Sequence, residues 1–149
     1  MTDKLFNTPF ELSLHILLLL DSVDGSFTIE RITDYDFIAV YAPDFGFKAE
    51  SLNGDNGFAF SELTAKRKLM KTAIRDLVLD GLVAASDSTE GIIYTLSSAG
   101  HSMSKSFQSD YAAGYRKVIK QVHRRYRNKT EVELSGIINK QSTKELRRR

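Results

Sequence analysis

The sequence predicts a helix-dominated α+β fold, specifically a winged helix-turn-helix with a long C-terminal amphipathic helix. The prediction depends on residues 77–100, LVLDGLVAASDSTEGIIYTLSSAG. This stretch is typical of the end of an amphipathic helix, two short strands at 82–85 and 92–96 joined by a polar turn, and the start of another helix. The order matches the second half of a winged helix-turn-helix, and two predicted helices before it supply the first half. We expect the strands to be confined to this wing.

The first predicted helix runs from Thr8 to Asp21. Thr8 can cap it, Pro9 suits its first position, and Glu11 completes a capping box. Its centre is apolar on nearly every face, which indicates a central helix surrounded by others. We therefore expect His15 in the core rather than in a metal or catalytic site, because no acidic ligand recurs four residues later.

The second predicted helix is capped by Thr28 and extends to about Tyr41, where Ala42 and Pro43 break it. The next segment, residues 43–60, contains two Asn-Gly pairs, which favours a long exposed loop. It lacks the lysine and hydroxyl residue that follow the last glycine of a Walker phosphate loop, so no chemistry is assigned to it.

The helix predicted within residues 61–83 separates apolar from basic side chains most clearly. The two faces follow the rotation of about 100° per residue of an α-helix, and Gly81 supplies the stop signal. The apolar face consists of Leu69, Met70, Ala73, Ile74 and Leu77, and the basic face of Arg67, Lys68, Lys71 and Arg75.

Residues 98–128 are predicted to be helical again, with Ser97 or Ser98 as the cap and a break near Phe107. An apolar stripe at helical spacing lies opposite a basic side, and it is explained either as core or as a dimer seam. The stripe comprises Tyr111, Tyr115, Val118, Ile119, Val122 and Tyr126, and the basic side Arg116, Lys117, Lys120, Arg124 and Arg127.

The chain divides into a winged-helix domain, residues 1–128, and a C-terminal tail, residues 129–149. Its 149 residues, 42% of them hydrophobic, are enough to fill one core. Thr130 and Glu133 form a capping box at the start of the tail. The apolar side chains of the tail either fold back on the core or lie in a groove on a partner protein. They are Val132, Leu134, Ile137 and Ile138.

Charge is distributed unevenly along the chain. Residues 1–60 contain three basic and ten acidic side chains, whereas residues 61–149 contain eighteen basic and nine acidic ones. Any single run of charge is ordinarily a solvated surface. An acidic half followed by a basic half nevertheless indicates two different surfaces, of which the basic one can meet nucleic acid.

Several classes of function are excluded or disfavoured. The absence of cysteine excludes disulfides, thiolate nucleophiles and cysteine-ligated zinc, and it fits a reducing cytoplasm. The longest apolar run, residues 16–20, is far shorter than the roughly 20 residues of a membrane-spanning helix. Asp3 and Glu11 flank the apolar part of the N-terminus, so a signal peptide is not expected. Without a nucleophile elbow or paired histidines, an enzyme is disfavoured.

Three stretches together resemble a known family. They are FNTPFELSLHILLLLD at the N-terminus, DYDFIAVY in the second helix, and KRKLMKTAIRDLVLDGLV followed by GIIYTLSSAG. Over residues 5–125 the chain resembles the middle component of ABC-three-component systems, bacterial defence modules of the Lamassu kind. The most specific part is residues 7–11, Asn-Thr-Pro-Phe-Glu. Two positions depart from the pattern: His15 stands where an arginine is expected, and SLNGDNG stands where relatives often carry Ser-Leu-His-Pro.

The resemblance implies a non-enzymatic winged-helix adaptor without cofactors, acting in anti-phage or anti-plasmid defence. Its implied partners are an SMC-like ABC ATPase of the chromosome-maintenance type and an effector that is often a nuclease. The alternative from the residues is a stand-alone winged-helix transcriptional regulator, although its recognition face lacks asparagine or glutamine for adenine readout. Seven residues are predicted to contact double-stranded DNA without sequence preference: Arg67, Lys68, Lys71, Arg75, Arg124, Arg125 and Arg127. Val132, Leu134, Ile137 and Ile138 are the candidate partner-binding residues.

Overall fold

The computed structural model describes residues 8–49, 52 and 60–148. The described elements are six α-helices, three β-strands and a 3₁₀ turn, so the predicted helix-dominated α+β class is confirmed. In chain order they are α1 (Pro9–Ser22), β1 (Phe27–Thr28), α2 (Ile29–Val40), the 3₁₀ turn (Ala42–Phe45), α3 (Phe60–Leu79), β2 (Val83–Ser88), β3 (Gly91–Leu96), α4 (Ser98–Lys105), α5 (Asp110–Tyr126) and α6 (Glu131–Arg148).

The predicted helix caps are present. The Thr8 hydroxyl accepts a hydrogen bond from the Glu11 amide at 3.1 Å, and the Thr28 hydroxyl accepts one from the Arg31 amide at 3.2 Å. Ser97 rather than Ser98 caps α4. Each hydroxyl satisfies an amide of the first helical turn that has no partner within its helix, which fixes where the helices begin.

The hairpin of β2 and β3 is longer than the sequence predicts. Gly81, with φ of +76°, ends α3 as expected. The strands then pair from Val83 with Leu96 up to Ser88 with Gly91, so the predicted six-residue turn is wrong. Gly91 has φ of +108°, and its carbonyl accepts a hydrogen bond from the Ser88 hydroxyl at 2.8 Å. These features close a tight turn that local polarity alone does not reveal.

The sheet contains a strand that the sequence analysis did not predict. β1 pairs antiparallel with β3, through Phe27 with Tyr94 and Thr28 with Ile93, giving the order β1-β3-β2. The prediction that strands are confined to the wing is therefore wrong in this detail. A two-residue strand has no periodicity to detect, and its partner lies 65 or more residues away in the chain.

The core surrounds α1, as its apolar composition predicts. Leu12, Ile16 and Leu19 are fully buried, and α1 contacts α2, α3, α4 and α5. The stripe on α5 also belongs to this core, with Tyr115 and Ile119 fully buried. The stripe is therefore core rather than a dimer seam, and the predicted break before α5 is confirmed.

The segment after α2 differs from the predicted exposed loop. Ala42–Phe45 form a 3₁₀ turn, and the rings of Phe45 and Phe47 are buried in the core. The exposed-loop interpretation is wrong for this part. The glycine and proline residues indicate a loop, but Phe45 and Phe47 between them face the core. Its remainder, residues 50–51 and 53–59, lies outside the described residues.

Candidate functional site

A cluster of ionisable side chains lies at the centre of the molecule, where four helices meet. His15 of α1, Asp36 of α2, Lys66 of α3 and Tyr115 of α5 are all buried. One carboxylate oxygen of Asp36 accepts a hydrogen bond from the Tyr115 hydroxyl at 2.5 Å and lies 2.8 Å from Nδ1 of His15. The other accepts a bond from Lys66 Nζ at 2.8 Å. Each helix thus contributes one polar group to a shared network.

The imidazole of His15 extends this network toward α5. Its ring stacks on Tyr115 at 4.6 Å between centroids and on Tyr111 at 5.8 Å. Nε2 lies 3.0 Å from the Tyr111 hydroxyl. Because the ionised Asp36 can only accept, Nδ1 carries a hydrogen atom and donates. The expectation that His15 is a core residue is confirmed, and its polar partners explain how a histidine is accommodated there.

Electrostatics keep Asp36 ionised. Burial alone would raise the pKa of its carboxyl group, but the Lys66 ammonium and His15 outweigh burial and hold the pKa well below its usual range. Burial, together with the negative charge of Asp36, raises the pKa of the Tyr115 hydroxyl well above its ordinary value. The cluster is a buried ion pair supported by hydroxyl donors, and it fixes the relative positions of α1, α2, α3 and α5.

The predicted DNA-binding residues of α3 are on the surface. Lys68, Lys71 and Arg75 are exposed to solvent, and so is Arg67. Arg67 differs from the others because its charge acts on the buried carboxylate of Asp34 on α2 and favours the ionised form of that group. All four predicted residues of α3 are therefore exposed, and Arg67 in addition has an electrostatic role within the chain.

The basic residues at the end of α5 divide in a similar way. Arg124, Arg125 and Arg127 are all exposed. Arg125 in addition donates a hydrogen bond from Nη1 to the Phe45 carbonyl oxygen at 2.9 Å, and its guanidinium lies 3.7 Å from the centre of the Phe47 ring. This side chain fastens the segment after α2 to α5, a contact between residues about 80 positions apart that the sequence does not reveal.

Arg31 of α2 holds the connection between α5 and α6. Its Nε donates to the Glu131 carboxylate at 2.7 Å and its Nη1 to the Tyr126 carbonyl oxygen at 3.1 Å. Its Nη2 donates to the Lys129 carbonyl oxygen. Bonds in both directions between Thr130 and Glu133 confirm the capping box predicted at the start of α6. These hydrogen bonds hold the start of α6 against α2.

The apolar residues of α6 fold back on the chain's own core. Leu134 and Ile138 are buried within the same hydrophobic cluster as α1 and α5, and Ile137 is partly buried against it. Val132 is 81% exposed. A buried side chain cannot contact a partner unless the helix detaches, so in this conformation Val132 is the member of the predicted partner-binding set that is presented to solvent.

Comparison with known protein families gives one match. Residues 5–148 match the family described as ABC-three component (ABC-3C) system Middle Component 2. The chain belongs to this Middle Component 2 family. The resemblance found in the sequence is thereby confirmed at the level of a middle component of an ABC-three-component system. Comparisons with curated proteins and with solved structures give no match.

Asp36 and Lys66 are the residues of this Middle Component 2 chain that sequence reasoning missed. A signal for Lys66 was present, because Leu63, Lys66, Met70, Ala73 and Leu77 follow one another at intervals of three and four residues. Lys66 therefore occupies the apolar face of α3. A lysine on such a face requires a buried acidic partner, and Asp36 lies within the buried part of α2.

Two further observations concern the described residues of Middle Component 2. Among them, histidine, aspartate and glutamate side chains form no group of three or more with the spacing of a metal site. Within the same ranges, each helix is too short or too polar to cross a membrane.

Replacing Asp34 with asparagine should stabilise this Middle Component 2 protein at neutral pH. Burial raises the pKa of Asp34 to about 6, with Glu131 and Glu30 adding to the effect and Arg67 and Arg31 opposing it. The folded protein therefore favours the protonated carboxyl group. Ionisation of Asp34 progressively lowers the free energy of unfolding as pH rises from about 4 to 6. The expected gain for Asp34→Asn is about 2–3 kcal/mol at pH 7.5 and near zero at pH 4.

Urea unfolding followed by circular dichroism at the two pH values measures this difference. Asp76→Asn, at an exposed position on α3, is the matched control and should change stability by less than about 0.5 kcal/mol at either pH. An Asp34→Asn protein that gains as much at pH 4 as at pH 7.5 would contradict the titration argument.

Proposed function

We propose that the protein is a non-enzymatic adaptor subunit of a cytoplasmic anti-phage or anti-plasmid defence complex of the Lamassu kind. In this role it links an SMC-like ABC ATPase to a nuclease-like effector. The match of nearly the whole chain, residues 5–148, to a middle component of a three-component system carries the proposal. A subunit of a three-component system is expected to work through its surfaces.

The order of elements supports a winged-helix identity for the body of this adaptor. Helix, short strand, two helices and a hairpin follow one another as α1, β1, α2, α3, β2 and β3, and the central strand β3 joins β1 to β2. In this interpretation α3 corresponds to the recognition helix and the β2-β3 hairpin to the wing. Both serve for docking on protein or nucleic acid in folds of this type.

The chemistry of the buried cluster supports a non-enzymatic role. Histidine, aspartate, lysine and tyrosine could form acid and base pairs in an active site. Here Asp36 is completely buried and its two oxygens are bound by His15, Tyr115 and Lys66. A substrate would have to displace a core helix to reach them, so the cluster is better suited to holding helices together.

The proposed DNA contact is independent of sequence. The exposed basic residues Lys68, Lys71 and Arg75 on α3, with Arg124 on α5 and Arg127 directly after it, offer charge, and none of these side chains is a base-reading amide. Arg67 and Arg125 complete the predicted set, although each also acts within the chain. Lysine and arginine that neutralise phosphates add affinity through release of counterions.

The adaptor role is tested by purifying the tagged protein expressed together with its neighbouring genes. The expected result is a stable complex containing an ABC ATPase and a second protein, resistant to nuclease treatment. If the protein is recovered alone and binds one duplex sequence in preference to others, the alternative of a transcriptional regulator replaces the adaptor.

The DNA contact predicts a change in the salt dependence of binding by the assembled complex. Replacing Lys68, Lys71 and Arg75 with glutamine should reduce the slope of log K against log salt by about 0.9 for each phosphate that is no longer neutralised, up to roughly 2.7. Fluorescence anisotropy with a duplex of random sequence measures it. The control removes the same charge elsewhere, at the exposed residues Lys105, Lys140 and Lys144. If the two variants give equal slopes, α3 does not contact DNA.

A further inference from the structure

An open groove runs between α3 and the β2-β3 hairpin. It has a volume of about 220 Å³ and is lined on one side by α3 and on the other by the hairpin. Most of the lining is apolar, contributed by Ile29, Ile74, Val78, Ala85, Ile92 and Tyr94. A concave apolar surface on a small domain is a typical position for a ligand or partner.

The apolar lining arises because the inner face of the hairpin continues beyond the core. Val83 and Leu96 face each other at the base of the hairpin, where Val83 is buried. Ala85 and Tyr94 form the next pair on the same face, since alternate residues of a strand share a side. Farther along, Ile92 is 50% exposed. The hairpin thus presents to solvent a face whose base forms part of the core.

Basic residues border the helical side of this groove. Lys71 and Arg75 lie one turn apart on α3 and line the groove directly, and Lys68 precedes them by one turn. All three are exposed. At the far end, Asp87 pairs in register with Ile92 and supplies an acidic group near the hairpin turn. Positive charge is therefore concentrated along α3, beside the apolar floor.

We infer that this groove binds an acidic amphipathic helix belonging to a partner protein. The apolar face of that helix, with side chains at i, i+3 or i+4 and i+7, would cover Val78, Ile92 and Tyr94. Its carboxylates would face Lys68, Lys71 and Arg75, so the helix and duplex DNA compete for these side chains, and the proposed DNA contact requires the groove to be empty. The inference rests on the proposed adaptor role, because the helix is assigned to another subunit of the three-component system.

The apolar floor favours a protein over DNA as the occupant. Phosphates and sugars are satisfied by charged and hydrogen-bonding groups, whereas the floor offers methyl groups and the ring of Tyr94. A protein helix can use both features, since leucine or phenylalanine fills the floor and glutamate pairs with the basic border. The length of α3 from Lys68 to Val78 corresponds to about three helical turns, which suits a docked helix of about ten residues.

The test is an NMR titration of the full chain with a synthetic 18-residue peptide that carries leucine on one helical face and glutamate on the others. We expect saturable shifts for Val78, Ile92 and Tyr94. Ile92→Ser alone, and Lys71→Glu with Arg75→Glu, should each weaken binding at least tenfold. The matched control is Leu79→Ser, which removes a side chain that is 76% exposed on α3 but does not line the groove.

Two further peptides define the chemistry of the occupant. One replaces every glutamate with lysine, and the other keeps the composition but scrambles the leucine positions; neither should bind. The inference is overturned if either binds as well as the acidic amphipathic peptide, or if that peptide gives no saturable shift at millimolar concentration. It is also overturned if Leu79→Ser weakens binding as much as Ile92→Ser.

Two other occupants would be recognised in the same samples. Groove shifts that depend on the concentration of the chain alone, and disappear in Ile92→Ser, would mean that a second copy occupies the groove. Shifts of Ile92 and Tyr94 on addition of a 20-base-pair duplex, with weaker duplex binding by Ile92→Ser, would assign the groove to DNA. A complex that still co-purifies while the peptide fails to bind would overturn the groove assignment and leave the adaptor role intact.

Discussion

Replacing Asp36 with asparagine should lower the free energy of unfolding by about 3–5 kcal/mol at neutral pH. The substitution leaves the Lys66 ammonium buried without its counter-charge, and it weakens the bonds to His15 and Tyr115. Urea unfolding monitored by circular dichroism measures the loss. Because the pKa of Asp36 is lowered in the folded protein, its stabilising effect is complete above about pH 4 and is lost as pH falls below that value.

The contribution of the ion pair itself is separated by a double-mutant cycle. Lys66→Met keeps a long apolar stem but removes the charge, so the double variant Asp36→Asn with Lys66→Met should be less damaged than the sum of the single variants. Lys68→Met, at an exposed position on the same helix, is the control and should be nearly neutral. Additive losses from Asp36 and Lys66 would show that the two groups do not depend on each other.

Truncating Leu134 or Ile138 to alanine should cost about 2–5 kcal/mol each. Both side chains are buried in the core shared with α1 and α5, and removing their methyl groups leaves space that the surrounding helices cannot fill. Val132→Ala, in the same helix but at a position 81% exposed, should change stability by less than about 0.5 kcal/mol. Thermal and urea unfolding of the three variants measure this contrast.

The same variants test in solution the packing of α6 against the core that the structure shows. If α6 is part of the core, Leu134→Ala and Ile138→Ala lower the unfolding temperature of the isolated chain. If the tail instead docks on a partner, they leave the unfolding temperature nearly unchanged and reduce recovery of the ATPase in co-purification. If the variants are destabilised, the part of α6 that is available to another subunit is Val132 with its exposed neighbours.

Features set by local chemistry could be predicted from the sequence. Thr8 and Thr28 cap helices because a hydroxyl and the amide it satisfies are three residues apart, and Gly81 ends α3 because a positive φ suits glycine. The apolar faces of α3 and α5 follow from helical periodicity. In each case the interacting groups are only a few residues apart, so the local sequence is enough to predict the feature.

Features set by contacts between distant residues could not be predicted in this way. β1 exists because Phe27 and Thr28 meet β3, and two residues carry no recognisable strand pattern. For the candidate site, exposure of Lys71 and Arg75 follows from the helical face. The attachment of Arg125 to Phe45 and Phe47 does not, because it depends on how α5 crosses the segment after α2. The role of Asp36 likewise depends on side chains of three other helices, α1, α3 and α5.

The arrangement around Asp36 also constrains the order in which the chain can reach its final packing during synthesis. Asp36 is synthesised early, but Lys66 follows 30 residues later and Tyr115 follows 79 residues later. Until α3 has left the ribosome, Asp36 has no ammonium to pair with, and until α5 has left, it lacks its hydroxyl donor. The acidic first half of the protein therefore cannot complete its packed interior by itself, and the nascent chain closes around this charge only after α5 has emerged.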